Sequence, residues 1–183
     1  SGNDFAHMNG APDDPKSACK IIVEGATHNV DIGLVTIDDR IRRYFDNAVG
    51  IGFDGLVTME CQKVKFVRGL ALYLPVVLKT IFLNMPEPRV EIDCDGEIIR
   101  KKAVMTVISN GPREGGGFFV APGARSDDGH FDLLIANAMS KIGMLGMIPR
   151  FLKGTHVGHK DIMIKAARHV IVSSPDPLYL HVD

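Results

Sequence analysis

The chain has 183 residues, of which 45% are apolar and 23% charged, and its formal net charge is −1. That size and balance support a packed domain and exclude wholesale disorder, and a charge near zero gives no basic footprint for nucleic acid. The three cysteines, Cys19, Cys61 and Cys94, are far apart and form no CxxC pair, which argues against a disulfide framework or a zinc ribbon and for a reducing, cytoplasmic setting.

The opening SGNDFAHMNGAPDDP is polar and has no signal-peptide pattern, and the apolar run Leu70 to Leu78 is far short of the ~20 residues of a membrane span. A short helix is expected over residues 3–9, with Asn3 or Asp4 as its cap. A second follows Asp14-Pro15 and exits at Gly25. Val30, Ile32, Leu34, Val35 and Ile37 are β-formers that end at Asp38-Asp39. Tyr44 to Ile51 reads as their partner strand, so residues 27–51 are expected to form a hairpin. Phe53 to Lys63 and Gly69 to Asn84 read as helices, with Pro75 kinking or restarting the second. Val90 to Cys94 and Glu97 to Ser109 flank Asp95-Gly96, a strong hairpin signal because both turn residues need positive φ. Strands are expected at 117–121, 131–138, 162–166, 169–173 and 178–182, with one helix at 140–153 capped by Ser140 and closed by Gly154. Many hairpin-linked strands and few helices predict a mainly β (α+β) fold, an antiparallel β-sandwich. Ser1-Gly2-Asn3-Asp4 at one end and Leu180-His181-Val182-Asp183 at the other read as cuts through structure.

Four segments could carry chemistry. Residues 1–6 place a hydroxyl, a glycine and two capping side chains at a helix start, which suits an anion or simply caps the helix. Asn110 to Phe119 contains three successive glycines, which permit close backbone approach to a ligand or form a plain loop. Arg125 to Asp132 sets carboxylates around a glycine turn, which suits a hard cation or an ordinary acidic turn. Asp183 ends a strand, where a carboxylate could take a proton from a substrate hydroxyl. The seven histidines His7, His28, His130, His156, His159, His169 and His181 are scattered. The zincin, hydrolase-elbow, Walker and dinucleotide motifs are absent from the sequence.

In order along the chain, these segments resemble one family, the diacylglycerol kinase-like lipid kinases, which also include sphingosine and ceramide kinases. Residues 1–6 resemble the tail of its G-T-x-N-D-F-A-R motif. Residues 47–55, NAVGIGFDG, resemble N-x-x-x-x-G-F-D-A. Lys65, Gly69 and Tyr73 resemble K-x-x-x-G-x-x-x-Y. Residues 110–135 resemble N-G-x-x-x-G-G-G-x-x-x-A-P-x-A-x-x-D-D-G-x-L-D, the most specific of the set. Leu152 to His156 resemble L-x-x-G-x-H, and Leu180 to Asp183 resemble the start of an L-D-G-E-type motif.

The resemblance implies a two-domain lipid kinase with its active site in the cleft between domains. Residues 1–25 would return to the nucleotide-binding domain, and 26–183 would form the carboxyl-terminal β-sandwich. Full activity would be ATP- and Mg²⁺-dependent phosphorylation of a lipid alcohol such as diacylglycerol, and this chain alone would be inactive. By the same resemblance Ser1, Asn3 and Asp4 would lie beside the nucleotide phosphates. Asp128 would hold a structural Mg²⁺ through its side chain, and Arg125 and His130 through their carbonyls. Lys65 would serve activity, and Asp183 would be the general base, although the Gly and Glu expected after it are not in the chain. His7 stands where arginine is usual. Apolar residues on the helices at 69–84 and 140–153 could line an acyl-chain site or form the core. Basic clusters at Arg40, Arg42, Arg43 and at Arg100, Lys101, Lys102 could meet a membrane surface at ~1 kcal/mol per charge, or simply be solvated. Two other readings stay open: a non-enzymatic lipid-binding module of the same fold, and an NAD kinase-like enzyme with a soluble substrate. Pairing of strand edges into a homodimer is also open.

Overall fold

Residues 4–25, 27–64 and 70–183 are described in the computed structural model. Helix α1 spans Asp4–Met8 and α2 spans Pro15–Glu24. The Asp14 carboxylate accepts from the Ser17 N–H at 2.8 Å, Pro15 occupies the first turn, and Gly25 closes the helix at φ 70°. Strands β1 (Gly33–Ile37) and β2 (Ile41–Phe45) form a separate two-stranded ribbon around Asp38 and Asp39, whose φ values are 49° and 55°. The expected single strand over Tyr44–Ile51 is in fact two. β2 stays with β1, and β3 (Ala48–Gly52) enters the main sheet. The break lies at Asp46-Asn47, where backbone N–H groups turn away from any ladder to meet the Asp183 carboxylate.

Helices α3 (Phe53–Gln62) and α4 (Leu70–Leu83) follow, and α4 continues through Pro75. Strands β4 (Arg89–Cys94) and β5 (Glu97–Ser109) turn at Asp95 and Gly96, with φ 52° and 91°, as the two-residue hairpin requires. The strand expected at 117–121 shrinks to a two-residue pairing of β6 (Arg113–Glu114) with β7 (Phe118–Phe119). Gly115, Gly116 and Gly117 all have positive φ and make the tight turn between them, and the Val120 N–H then bonds back to Pro112 O. β8 (Phe131–Asn137), α5 (Lys141–Lys153), β9 (Ile162–Ala167), β10 (Val170–Ser173) and β11 (Leu180–Val182) complete the chain. Ser140 and Gly154 cap α5 as expected, although Pro149 sits inside it.

All pairings are antiparallel, and the long strand β5 organises them. Its first half pairs with β4, which pairs with β10. Its second half lies between β3 and β8, which extend to β11 and β9. A bulge between Ala103 and Met105 re-aims the strand where it changes partners. Two cores result. One, between the sheet layers, holds Val49, Ile51, Ile92, Ile108, Leu133 and Ile135. The other, between the β3–β5–β8 face and helices α3, α4 and α5, holds Val57, Ile81, Val104, Val107, Leu134 and Met147. Adjacent residues Leu133 and Leu134 face opposite cores, the period-2 alternation of a strand buried on both sides. No helix of the described residues is long and apolar enough to cross a membrane.

Candidate active site

The direct passage from β3 into α3 builds the site. Gly52, at φ 85°, ends the strand, and Asp54 then stands in the first turn of the helix. β11 pairs beside β3 with His181 opposite Gly50. A Cβ at position 50 would lie 1.9 Å from Asp54 Oδ2 and 2.4 Å from the His181 ring, so glycine there is what lets the two side chains meet. The His181 Nδ1 is 3.4 Å from Asp54 Oδ2, and its Nε2 is 2.5 Å from Glu114 Oε1 on β6. The Tyr73 hydroxyl of α4 donates to Asp54 Oδ1 at 2.9 Å. Four elements thus bring Tyr73, Asp54, His181 and Glu114 into one polar chain, with Asp54 4% and Glu114 8% exposed.

Burial dominates the titration of this chain. It pushes the Tyr73 hydroxyl well above its ordinary range, and the charges of Asp54 and Glu114 add to the effect, so the phenol stays a donor. Burial, followed by the Asp54 charge, raises Glu114 to about 7 against the opposing hydrogen bond from His181. For His181 burial pulls downward, but the Glu114 hydrogen bond and the charges of Asp54 and Glu114 outweigh it and raise the imidazole to about 9.

Two cavities adjoin these elements. A narrow apolar slot of about 50 Å³ runs between the sheet and the helices. Val77, Met105, Phe118, Met144 and Met147 line it, and Asp54, Tyr73 and Glu114 form its polar wall. An open cleft of about 570 Å³ lies where the glycine segment and the acidic loop meet the end of α1. Its walls include Asn9 beyond α1, Arg113 and Phe119 beside the glycine turn, and Arg125 and Asp127 of the acidic loop. Arg113 lies over the Phe119 ring at 4.3 Å.

Of the residues singled out by sequence, Ser1, Asn3 and Lys65 lie outside the described residues. Asp4 is on α1, and its carboxylate accepts from the Gly116 N–H at 2.8 Å, which ties the first segment to the triple-glycine turn. Asp183 accepts from the N–H groups of Asp46 and Ala48, both at 2.7 Å, and more weakly from Asn47. Its charge bears on both Glu114 and His181. Arg125, Asp128 and His130 come together in one exposed loop. The Arg125 guanidinium pairs with Asp127, Asp128 Oδ1 accepts from the His130 N–H at 3.0 Å, and the Gly129 N–H donates to Asp31 at 2.7 Å. Burial, and then the Asp128 charge, raises the Asp132 carboxyl behind the loop.

Sequence reasoning gave no role to Asp54, Glu114 or His181. Asp54, Tyr73, Glu114 and His181 all stood within matched segments, and strand alternation would have put His181 on the face of β11 opposite Leu180 and Val182. His156 is fully buried, stacked on Phe151 at 4.2 Å and bonded to Val120 O. It holds the end of the glycine segment in place and faces no cavity described above.

Residues 47–183 match the model of the YegS C-terminal NAD kinase beta sandwich-like domain. A protein of Mycobacterium tuberculosis (strain ATCC 25618 / H37Rv) named "Diacylglycerol kinase" is 30% identical over 177 residues, covering 96% of this chain and 57% of that protein. One of the same name from Bacillus subtilis (strain 168) is 28% identical over 184 residues, covering 99% of this chain and 58% of the relative. The chain therefore spans a little over half the length of these relatives. The crystal structure of a putative diacylglycerol kinase from Bacillus anthracis str. Sterne superposes with a TM-score of 0.72 at 22% identity, covering 98% of this chain and 57% of that one, and this likeness speaks to the fold.

Proposed function

The chain belongs to the YegS C-terminal NAD kinase beta sandwich-like domain family, and from that premise we propose that it forms the acceptor side of a kinase that phosphorylates a lipid alcohol, diacylglycerol or a close relative, with ATP. The observation that carries this reading is the apolar slot with a buried polar wall. An acyl chain needs an apolar lining, and because the slot holds only about 50 Å³, its methionines at positions 144 and 147 must repack to admit one. The headgroup hydroxyl needs fixed polar partners, and Asp54, Tyr73 and Glu114 offer them at one edge of the slot. The relatives named diacylglycerol kinase support the same substrate class.

The open cleft beside α1 is the nucleotide side. Its polar lining suits a phosphate-bearing ligand, with Asp4 fixing the glycine turn from below and Ser1 and Asn3 preceding it in sequence. Mg²⁺ fits the acidic loop chemically. Asp128 and the carbonyls of Arg125 and His130 are hard oxygen donors, and the Asp128 charge is felt by the Asp132 carboxyl behind them. When bound there, the ion supplies positive charge that braces the loop lining the cleft.

Asp183 is the candidate base. Its carboxylate is held at the strand end by backbone N–H groups, and a carboxylate has lone pairs left to accept a substrate proton after taking those bonds. Lys65 is proposed to assist. Membrane association is peripheral in this reading, through the basic clusters named above. In the complete kinase, assayed with ATP and diacylglycerol in mixed micelles, Asp183→Asn is expected to lower kcat by ~10²–10⁴-fold with unchanged circular dichroism. Turnover near the parent level would remove Asp183 from the role. Phosphorylation of NAD but of no lipid would overturn the substrate class.

A further inference from the structure

The polar chain contains a feature that the headgroup contacts proposed above leave unexplained. Asp54 Oδ2, His181 Nδ1 and Glu114 Oε2 are all buried, and each lacks a hydrogen-bond partner. One ligand atom from each of these three residues can be chosen so that all lie within 4.8 Å of one another. Orphaned polar atoms in a dry wall are costly, and more so when the group is charged. Three of them on one cluster call for something positive among them.

A proton is the first alternative. The two sides of the imidazole argue against it as the whole answer. On one side Nε2 meets Glu114 Oε1 at 2.5 Å, the close approach of a proton-bearing nitrogen to a carboxylate. On the other side Nδ1 stands 3.4 Å from Asp54 Oδ2, well beyond the ~2.7–2.9 Å of a charge-assisted N–H···O bond. With ~2.1 Å metal bonds to each atom, a 3.4 Å separation encloses about 108°, the tetrahedral angle. The surrounding bonds are those of a metal-binding histidine. Nε2–H is anchored on a carboxylate, so an entering ion displaces the other ring proton to solvent and takes Nδ1 as its ligand, while Tyr73 orients Asp54 through its other oxygen.

We propose that His181 Nδ1 and Asp54 Oδ2, with Glu114 anchoring the imidazole from its far side, bind a divalent transition-metal ion of the Zn²⁺ type. An imidazole nitrogen with carboxylate oxygens suits such an ion, and it is distinct from the all-oxygen loop at Asp128. The site would tie β11, α3 and β6 together at the wall of the slot, so metal content would govern how firmly that wall is held.

The probe is Zn²⁺ itself, titrated calorimetrically into the metal-free 183-residue chain with excess Mg²⁺ present to occupy oxygen sites. No lipid or ATP is needed, so this result and the kinase reading stand or fall separately. His181→Gln is expected to lose one equivalent of bound Zn²⁺ relative to the parent chain, and Glu114→Gln to weaken that equivalent ~10–100-fold. Equal stoichiometry and affinity in a folded His181→Gln chain would overturn the site. A second measurement needs no variant: nitrogen NMR of the parent chain should show His181 Nδ1 unprotonated and shifted at saturating Zn²⁺. An imidazole that keeps both ring protons under those conditions would overturn the proposal as well.

Discussion

Two regions of this molecule use the same residue types to opposite effect. The loop at Arg125 to His130 and the cluster of Asp54, Glu114 and His181 each combine carboxylates with a histidine. In the loop, the Asp128 and His130 side chains are 39% and 38% exposed, and they lie two residues apart in sequence. In the cluster, the His181 and Glu114 side chains are 13% and 11% exposed, and 67 residues separate them. Water solvates the loop's charges and makes each one nearly expendable. The cluster's charges have little beyond each other and the Tyr73 hydroxyl, so each is expensive to remove.

The sharpest way to break that comparison is to delete the histidine on each side. His181→Ala leaves two buried carboxylates facing one another and is expected to cost about 3–5 kcal/mol of stability. His130→Ala, on the exposed loop, should stay within ~0.5 kcal/mol. Urea unfolding midpoints of the two variants measure this directly, and similar midpoints would mean that burial does not separate the regions. Smaller per pH unit is the effect of pH, measured in metal-free buffer. His181 is raised to about 9, so its contribution is complete below its ordinary value of 6.5 and disappears as pH rises through about 9. Glu114 is raised from 4.5 to about 7, so the folded chain also holds that proton longer than the unfolded one. Both signs agree: the folded chain binds more protons, and stability falls from about pH 4.5 to 9, by at most ~1.4 kcal/mol per pH unit for each proton of difference. His181→Gln should flatten the upper half of that slope, and a slope unchanged by it would assign the titration elsewhere.

The same contrast explains what could be read from the amino acids. Structure made by neighbours in sequence was legible: the Asp14 and Gly25 caps of α2, the Asp95-Gly96 turn, and the Ser140 and Gly154 caps of α5. Each depends on a side chain or a φ value within a few residues. What long-range contacts decide was not legible. The break between β2 and β3 depends on Asp183, more than 130 residues away, taking the N–H groups of Asp46 and Ala48. The bulge in β5 depends on which strands flank it. The exposed acidic loop stood out because its residues are contiguous. The buried cluster did not, because Asp54, Glu114 and His181 come from three distant segments and only the fold makes them neighbours.

The smallest expected effect tests the loop side alone. Asp128 Oδ1 holds the His130 N–H, and nothing in that exposed setting makes the carboxylate costly to lose. Without Mg²⁺, Asp128→Ala should therefore shift stability by no more than ~1 kcal/mol. With Mg²⁺ the two chains should separate, because an ion that binds only the folded loop stabilises the parent by mass action and has lost its side-chain ligand in the variant. Melting temperature against Mg²⁺ concentration measures the difference. A rise in the parent and none in Asp128→Ala would show that the loop gains its worth from a bound ion rather than from burial. Identical melting temperatures with and without Mg²⁺ in the parent would leave the loop an ordinary acidic turn, and the Mg²⁺ assignment would fall with it.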